Sequence, residues 1–197
     1  MTQHFAVAGG KWACYPCGMS DLLNIMTVPT EALAEAARTV VIHLCIAAHE
    51  SEDFQNLFTY IPAGGRHILA YQGAELVGHA VVTTRWVQPA GQPFLRTAYV
   101  DAVSVSPAHQ GQGIGSALMR HLVTAVPEYE IACLETERLS FYTHVGWEEW
   151  QGPLAGRQDG ELIPLPEQTG IMIYRLPRTP PLALSGLLTI EFDGRFW

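Results

Sequence analysis

Val103-Ser104-Val105-Ser106-Pro107-Ala108-His109-Gln110-Gly111-Gln112-Gly113-Ile114-Gly115-Ser116 is the stretch on which the reading of this chain turns. A β-branched run stops at Pro107, a glycine-rich turn follows, and a helix begins at once. Three glycines leave backbone N–H groups uncovered where the helix dipole is most positive, a setting that binds phosphate. The spacing Gln-x-x-Gly-x-Gly is not that of the nucleotide P-loop, which needs a Lys-Ser/Thr pair after its last glycine; here Ser116-Ala117 follow. Taken alone, the stretch also fits a plain strand-to-helix turn.

The surrounding chain sets bounds. Its 197 residues suffice for one domain with a full core. Apolar residues make up 48% and charged residues 15%, the balance of a globular protein. The net charge of −8 argues against nucleic acid, which needs clustered Lys and Arg. It suits a cationic small molecule, and it also serves ordinary solubility. Apolar runs such as residues 40–42 are far too short to span a membrane, and no signal-peptide pattern opens the chain; a cytoplasmic location is expected. Cys14 and Cys17 have Cys-x-x-Cys spacing, but no second ligand pair follows for zinc, so no metal is expected.

Residues 1–20 are aperiodic and read as an N-terminal extension to a single domain over 21–197. A first strand is expected over 22–28, then a helix with Thr30 as N-cap and Glu31 just inside it. Phe54, Leu57 and Phe58 suggest a second helix behind the acidic patch at Glu50, Glu52 and Asp53. The period then changes to two, predicting strands over 67–71, 76–87 and 96–105 as an antiparallel meander. The helix after the glycine loop carries Ile114, Ala117, Leu118, His121, Leu122 and Ala125 on one face and stops at Pro127. A short strand over 131–134, a helix over 137–144 ended by Gly146, and a strand from Trp147 follow. Residues 151–170 read as a Gly- and Pro-rich loop, and the last strands cover 171–176 and 187–192. The fold class is α+β, with a mixed central sheet: a meander, then a βαβ crossover, with the glycine loop at the end of the meander's last strand.

That order, with the loop in that place, resembles the GCN5-related N-acetyltransferases, and Phe141-Tyr142-Thr143-His144-Val145-Gly146-Trp147 resembles their second motif. The likeness extends to the aminoglycoside 2'-N-acetyltransferases. It rests on Gly64-Gly65-Arg66-His67, Val77-Gly78-His79-Ala80-Val81-Val82, Tyr99-Val100-Asp101-Ala102-Val103, Trp150-Gln151-Gly152-Pro153 and a chain ending on tryptophan. The resemblance implies acetyl-CoA as co-substrate. Gln110, Gly111, Gln112, Gly113, Ile114, Gly115 and Ser116 would receive its pyrophosphate through backbone N–H groups, and Val103 and Val105 would pair with its pantetheine arm. It also implies that the Val103 N–H points at the thioester oxygen.

Amine acetylation further needs a base, oxyanion stabilisation and an acid for the leaving thiolate. Strand period places Asp101, Val103 and Val105 on one face, so Asp101 can draw the amine proton through a water. It can equally bind a cationic substrate without moving protons. Tyr142, whose phenol (pKa about 10) holds its proton more tightly than a thiol, is the expected acid, with a role as packed core aromatic as its alternative.

In the resembled family the terminal tryptophan's carboxylate meets a substrate ammonium, a role open to Trp197, and a glutamate stands where Asp101 does. That family usually has an acidic residue two before the terminal tryptophan; here it is Arg195. A cation disfavours polycationic acceptors and suits kasugamycin, which carries one 2'-amine and a carboxylate. Asp53 joins Asp101, Arg195 and Trp197 as expected substrate contacts. The expected activity is therefore resistance-conferring acetylation of an aminoglycoside, kasugamycin foremost. Broad-spectrum aminoglycosides, another small amine, or a non-enzymatic acyl-CoA sensor are the alternatives. A homodimer is compatible with the apolar strands near the C-terminus.

Overall fold

The computed structural model describes residues 22–191. The expected N-terminal extension with Cys14 and Cys17, and the terminal Arg195 and Trp197, lie outside the described residues.

The meander forms as its period predicts. Strands β2 (Arg66–Gln72), β3 (Glu75–Pro89) and β4 (Leu95–Val105) run antiparallel, with β1 (Leu23–Pro29) added beside β2. Beyond β4 come α3 (Ile114–Thr124), β5 (Ile131–Glu135), α4 (Leu139–His144) and the two-residue β6 (Glu148–Glu149). The long strand β3 carries β4 on one edge. On its other edge it pairs with β2 through residues 75–82 and with β10 (Leu188–Glu191) through residues 86–89. The main path of the sheet reads β6-β9-β5-β4-β3-β10-β7-β8, where β7 is Leu154–Gln158, β8 is Glu161–Pro164 and β9 is Ile171–Arg175. The β4–β5 and β10–β7 pairs are parallel, so the sheet is mixed.

Three expectations change. Residues 151–170 hold a hairpin, β7 (Leu154–Gln158) and β8 (Glu161–Pro164). Its turn is Asp159-Gly160, with φ of 52° and 82°; positive φ at both central residues is what lets a two-residue turn follow the strand twist. The Asp-Gly pair carried that signal, masked by the prolines and glycines around it. Thr30 does not cap a long helix either. Thr30–Ala32 is a single 3-10 turn, and α1 (Glu35–His49) starts after Ala34 without a side-chain cap. The β-sheet side claims the turn instead: Thr30 N–H bonds to the Gly65 carbonyl, and Glu31 accepts the Gly64 N–H at 2.7 Å. Arg38 then ties the turn to α1 through the carbonyls of Thr30 and Leu33. The second helix is a 3-10 segment, Glu52–Asn56, running into one α-turn, α2 (Leu57–Tyr60).

The sheet is covered on both faces, as burial of two apolar faces requires. Helix α3 packs Leu118, Met119 and Leu122, all nearly fully buried, with Ile68, Ala98 and Val100 on one face. Helix α1 packs Val41, Leu44 and Cys45 with Leu69, Val81 and Ala102 on the other. A third cluster, around Tyr99, Trp150 and Ile173, holds the C-terminal strands to β4 and β5. Among the described residues no helix is long and apolar enough to cross a membrane.

One contact fixes the rim above β5. Thr136 N–H bonds to the Gly170 carbonyl at 2.9 Å. Gly170 has φ +74°, and a Cβ there would lie 2.2 Å from the Thr136 oxygen. Gly170→Ala is therefore expected to destabilise the protein by roughly 2–4 kcal/mol, from overpacking against backbone plus a left-handed alanine. An unchanged urea midpoint would contradict this.

Candidate active site

β4 and β5 pair only through Thr97, Ala98 and Tyr99 with Ile131, Ala132 and Cys133. β4 then continues to Val105 without pairing to β5, whose Leu134 and Glu135 line the space between them. A cavity of about 2170 Å³ opens in this gap. Single small-molecule sites usually measure about 300–1,000 Å³, so this one has room for two reactants.

The gap depends on a break in β4. The β3–β4 register slips between His79 and Val81, where Ala102 takes φ +50°. The expectation that Asp101, Val103 and Val105 share one face fails here. Asp101 sits opposite Val81, a member of the α1 cluster, and paired residues point to the same side. Val103 and Val105 pack instead against the α3 cluster. The extra residue inverts the alternation that strand period assumes. All three residues still line the cavity, on different walls.

A chain of polar groups holds the break. The Ala102 carbonyl accepts from His79 Nδ1 at 3.0 Å and from the Ser104 hydroxyl at 3.2 Å. His79 must then carry its proton on Nδ1, so its Nε2 accepts from His67 Nδ1 at 2.8 Å. Ser104 Oγ, its own proton committed, accepts from His49 Nε2 at 3.1 Å. Asp101 Oδ1 accepts the Ala102 N–H at 2.7 Å. His67 and His79 are fully buried. Burial, helped by the Arg38 charge, pushes His67 down to about 4; burial and the neighbouring His67 depress His79 as well. The remaining nitrogen of His67 is buried without a hydrogen-bond partner, and Phe58 stacks on its ring at 5.3 Å. Cys45, 3.5 Å from His79 Nδ1, is held as a neutral thiol, its pKa raised to about 11 by burial.

The glycine loop lies at the C-terminal end of β4. Gly111 and Gly113 have φ of +74° and +81°, and Gly113 is the N-cap residue just before α3. Gln110, Gly111, Gly113, Ile114, Gly115 and Ser116 line the cavity. Gln112 does not; its side chain folds back on the Ala108 carbonyl at 3.3 Å. Ile114 buries its side chain in the α3 cluster, which leaves its backbone for the cavity. The loop fits a pyrophosphate because its glycines present backbone rather than side chains to the cavity. Across the gap, Tyr142 lines the same cavity. Burial pushes its phenol up to about 12; Arg138 opposes this shift and Asp101 adds to it.

Several further residues stand in the cavity wall. His49 stacks on Phe54 at 4.6 Å, beside Asp53 in the wall. Arg85 is nearly buried, its guanidinium 3.5 Å over the Tyr99 ring. Gln168 reaches over from the segment before β9 to bond Glu135 at 2.8 Å. An arginine at a period-two inward position of β3 was the available signal for Arg85. His49 had none, since a lone histidine at a helix end is usually solvated. Seven carboxylates and two arginines line the cavity. Among the described residues no cluster of three His, Cys, Asp or Glu could hold a metal ion.

A gap between parallel strands above a glycine loop, on a mixed sheet, is the frame of an acyl-CoA-dependent transferase. The chain belongs to the acetyltransferase (GNAT) family, whose model matches residues 32–147. It is 28% identical over 177 residues to an aminoglycoside 2'-N-acetyltransferase of Mycolicibacterium fortuitum, covering 86% of this chain and 90% of that one. Its fold matches Escherichia coli YhbS in complex with CoA, with a TM-score of 0.58 at 14% identity, over 89% and 92% of the two chains. It also matches Eis1 of Mycobacterium abscessus, with a TM-score of 0.56 at 20% identity, over 68% of this chain and 33% of that one. The family uses acetyl-CoA.

The histidine pair ties stability to pH. Unfolded histidine titrates near 6.5, whereas folded His67 titrates near 4. The unfolded state therefore takes up the proton first. The contribution is fully present above about pH 6.5 and declines as pH falls toward 4, by roughly 3 kcal/mol for His67 alone. Urea unfolding of the wild type between pH 7 and 4.5 should show this decline, and His67→Gln should flatten it by about one proton. Parallel pH profiles for the two proteins would rule it out.

Proposed function

We propose that this acetyltransferase acetylates the 2'-amine of an aminoglycoside, kasugamycin foremost, and so confers resistance. The observation that carries the reading is the likeness to the Mycolicibacterium fortuitum enzyme across nine-tenths of that chain. The acidic wall supports a cationic acceptor, since carboxylates lower the cost of bringing an ammonium into the cavity. Kasugamycin, with one 2'-amine and a carboxylate, is favoured because Arg195 stands where the resembled family usually has an acidic residue.

In this reading, backbone groups of the glycine loop hold the pyrophosphate of acetyl-CoA, and the open edge of β4 takes the pantetheine arm at Val103 and Val105. Asp101 engages the bulge through Oδ1, which leaves its other oxygen for the amine proton, directly or through a water. Tyr142, its phenol raised by burial, is protonated when a thiolate departs and can supply the proton. The domain spans 21–197, and Asp53, Trp197 and Arg195 complete the acceptor side. The site is read as cytoplasmic, compatible with a homodimer, with no nucleic acid or membrane partner. A second reading, broad-spectrum aminoglycoside acetylation, is favoured by the excess of carboxylates in the wall.

Thiol release from acetyl-CoA with kasugamycin and tobramycin side by side separates the two. Kasugamycin turnover alone supports the narrow reading, and tobramycin turnover the broad one. No turnover of either sinks the aminoglycoside assignment. Tyr142→Phe should lower kcat about 100-fold with little change in KM, and Asp101→Asn should do the same if it moves the proton. A raised acceptor KM at unchanged kcat would make Asp101 a binding residue only.

A further inference from the structure

The polar chain at Ala102 ends on a single peptide group, and that group has two ends. A trans peptide is planar, with its carbonyl and its amide N–H pointing in opposite directions. The Ala102 oxygen is turned toward His79 on β3 and toward Ser104. The Val103 N–H of the same peptide therefore faces away from them, on the side where β4 has lost β5 and Val103 lines the cavity.

We propose that His79 and Ser104 are positioning residues that polarise the Ala102–Val103 peptide, making the Val103 N–H a stronger donor to the thioester oxygen. The inference rests on the reading that acetyl-CoA binds along this edge of β4. Two donors on one carbonyl draw electron density toward its oxygen and leave the N–H at the other end more positive, the mutual strengthening of linked hydrogen bonds. A donor already aimed where negative charge develops lowers the barrier without reorganising.

Three observations go beyond what a purely structural role for these residues needs. The carbonyl accepts from two side chains, where one would satisfy it. Each donor is itself backed by a further histidine, His67 behind His79 and His49 behind Ser104. The backing on the buried side is retained although it leaves a nitrogen of His67 without a partner, a cost that an apolar pair at the two positions would not carry. His49 lines the cavity, so the chain also runs from the acceptor side to the oxyanion donor.

The test compares wild type, Ser104→Ala and His79→Phe by the infrared carbonyl stretch of bound [1-13C]acetyl-CoA and by steady-state kinetics with a turned-over amine. The expected result has the stretch displaced to low frequency in wild type, and partly restored toward its value in water in both variants. kcat should fall about 3-fold in Ser104→Ala and about 10-fold in His79→Phe, with CoA affinity and the KM for acetyl-CoA within twofold of wild type. Ser104→Ala removes only a hydroxyl, so it carries the test if His79→Phe fails to fold. A carbonyl stretch equal in wild type and Ser104→Ala overturns the inference, even if kcat falls, because the fall would then be structural. A wild-type stretch no different from that in water is a distinct failure: it overturns the placement of the thioester, and the inference with it.

Discussion

The interruption of β4 at Ala102 is the constraint on which the rest of the structure depends. A strand in the middle of a sheet normally spends both of its edges on neighbours. Here the parallel partner is lost after Tyr99, and six residues of β4 keep one edge open. Such an edge invites either aggregation or a ligand. The chain blocks the first outcome by covering the gap with α4, the Gln168 segment and the glycine loop. What remains is a cavity of about 2170 Å³ along the open edge of β4.

Keeping the slot open has a conformational cost. Ala102 is a non-glycine residue at positive φ, in a region that alanine visits reluctantly. Strain of this kind persists only when its surroundings over-determine it. The surroundings do so from four elements: β2 supplies His67, β3 His79, β4 Ser104 and Asp101, and α1 His49. The arrangement requires neutral imidazoles. A charged His79 would present a donor at Nε2 to the donor on His67, and the chain would break. Burial excludes that state by the same physics that makes the pair sensitive to acid.

The sequence made the frame legible and left the side-chain chain obscure, for a physical reason. Strands and helices announce themselves by period, so the meander, α3 and the crossover are visible in the pattern of apolar residues. The glycine loop is legible because the need for uncovered backbone restricts residue type. Asp101 and Tyr142 were found through their distance from these landmarks. The bulge was not, because one inserted residue leaves no mark in composition while inverting every side chain beyond it. That is why Asp101 was placed on the wall of Val103. His67 and His79 stood inside stretches quoted for resemblance and still gave no hint of a pair. Their pairing exists only across the β2–β3 register, and the slip that aims His79 at Ala102 is tertiary.

The same contrast explains why the cofactor half of the cavity is easier to assign than the acceptor half. In the proposed reading pyrophosphate and pantetheine are held largely by backbone, and backbone geometry follows from fold. The acceptor would instead meet side chains from the end of α1, the 3-10 segment after it, the middle of β3 and the segment before β9, all of which line the cavity. Apart from His49, which helps to hold the break at Ala102, these side chains take no part in the polar chain that supports β4. A likeness that covers the whole frame can therefore coexist with a different acceptor, and charge in the wall becomes the deciding quantity. Carboxylates dominate that wall, but Arg85 is nearly buried against Tyr99, where solvent screens its field poorly. Asp101, Glu135 and Glu149 in the same wall are themselves half-buried, so position as well as number decides how each charge acts on an acceptor.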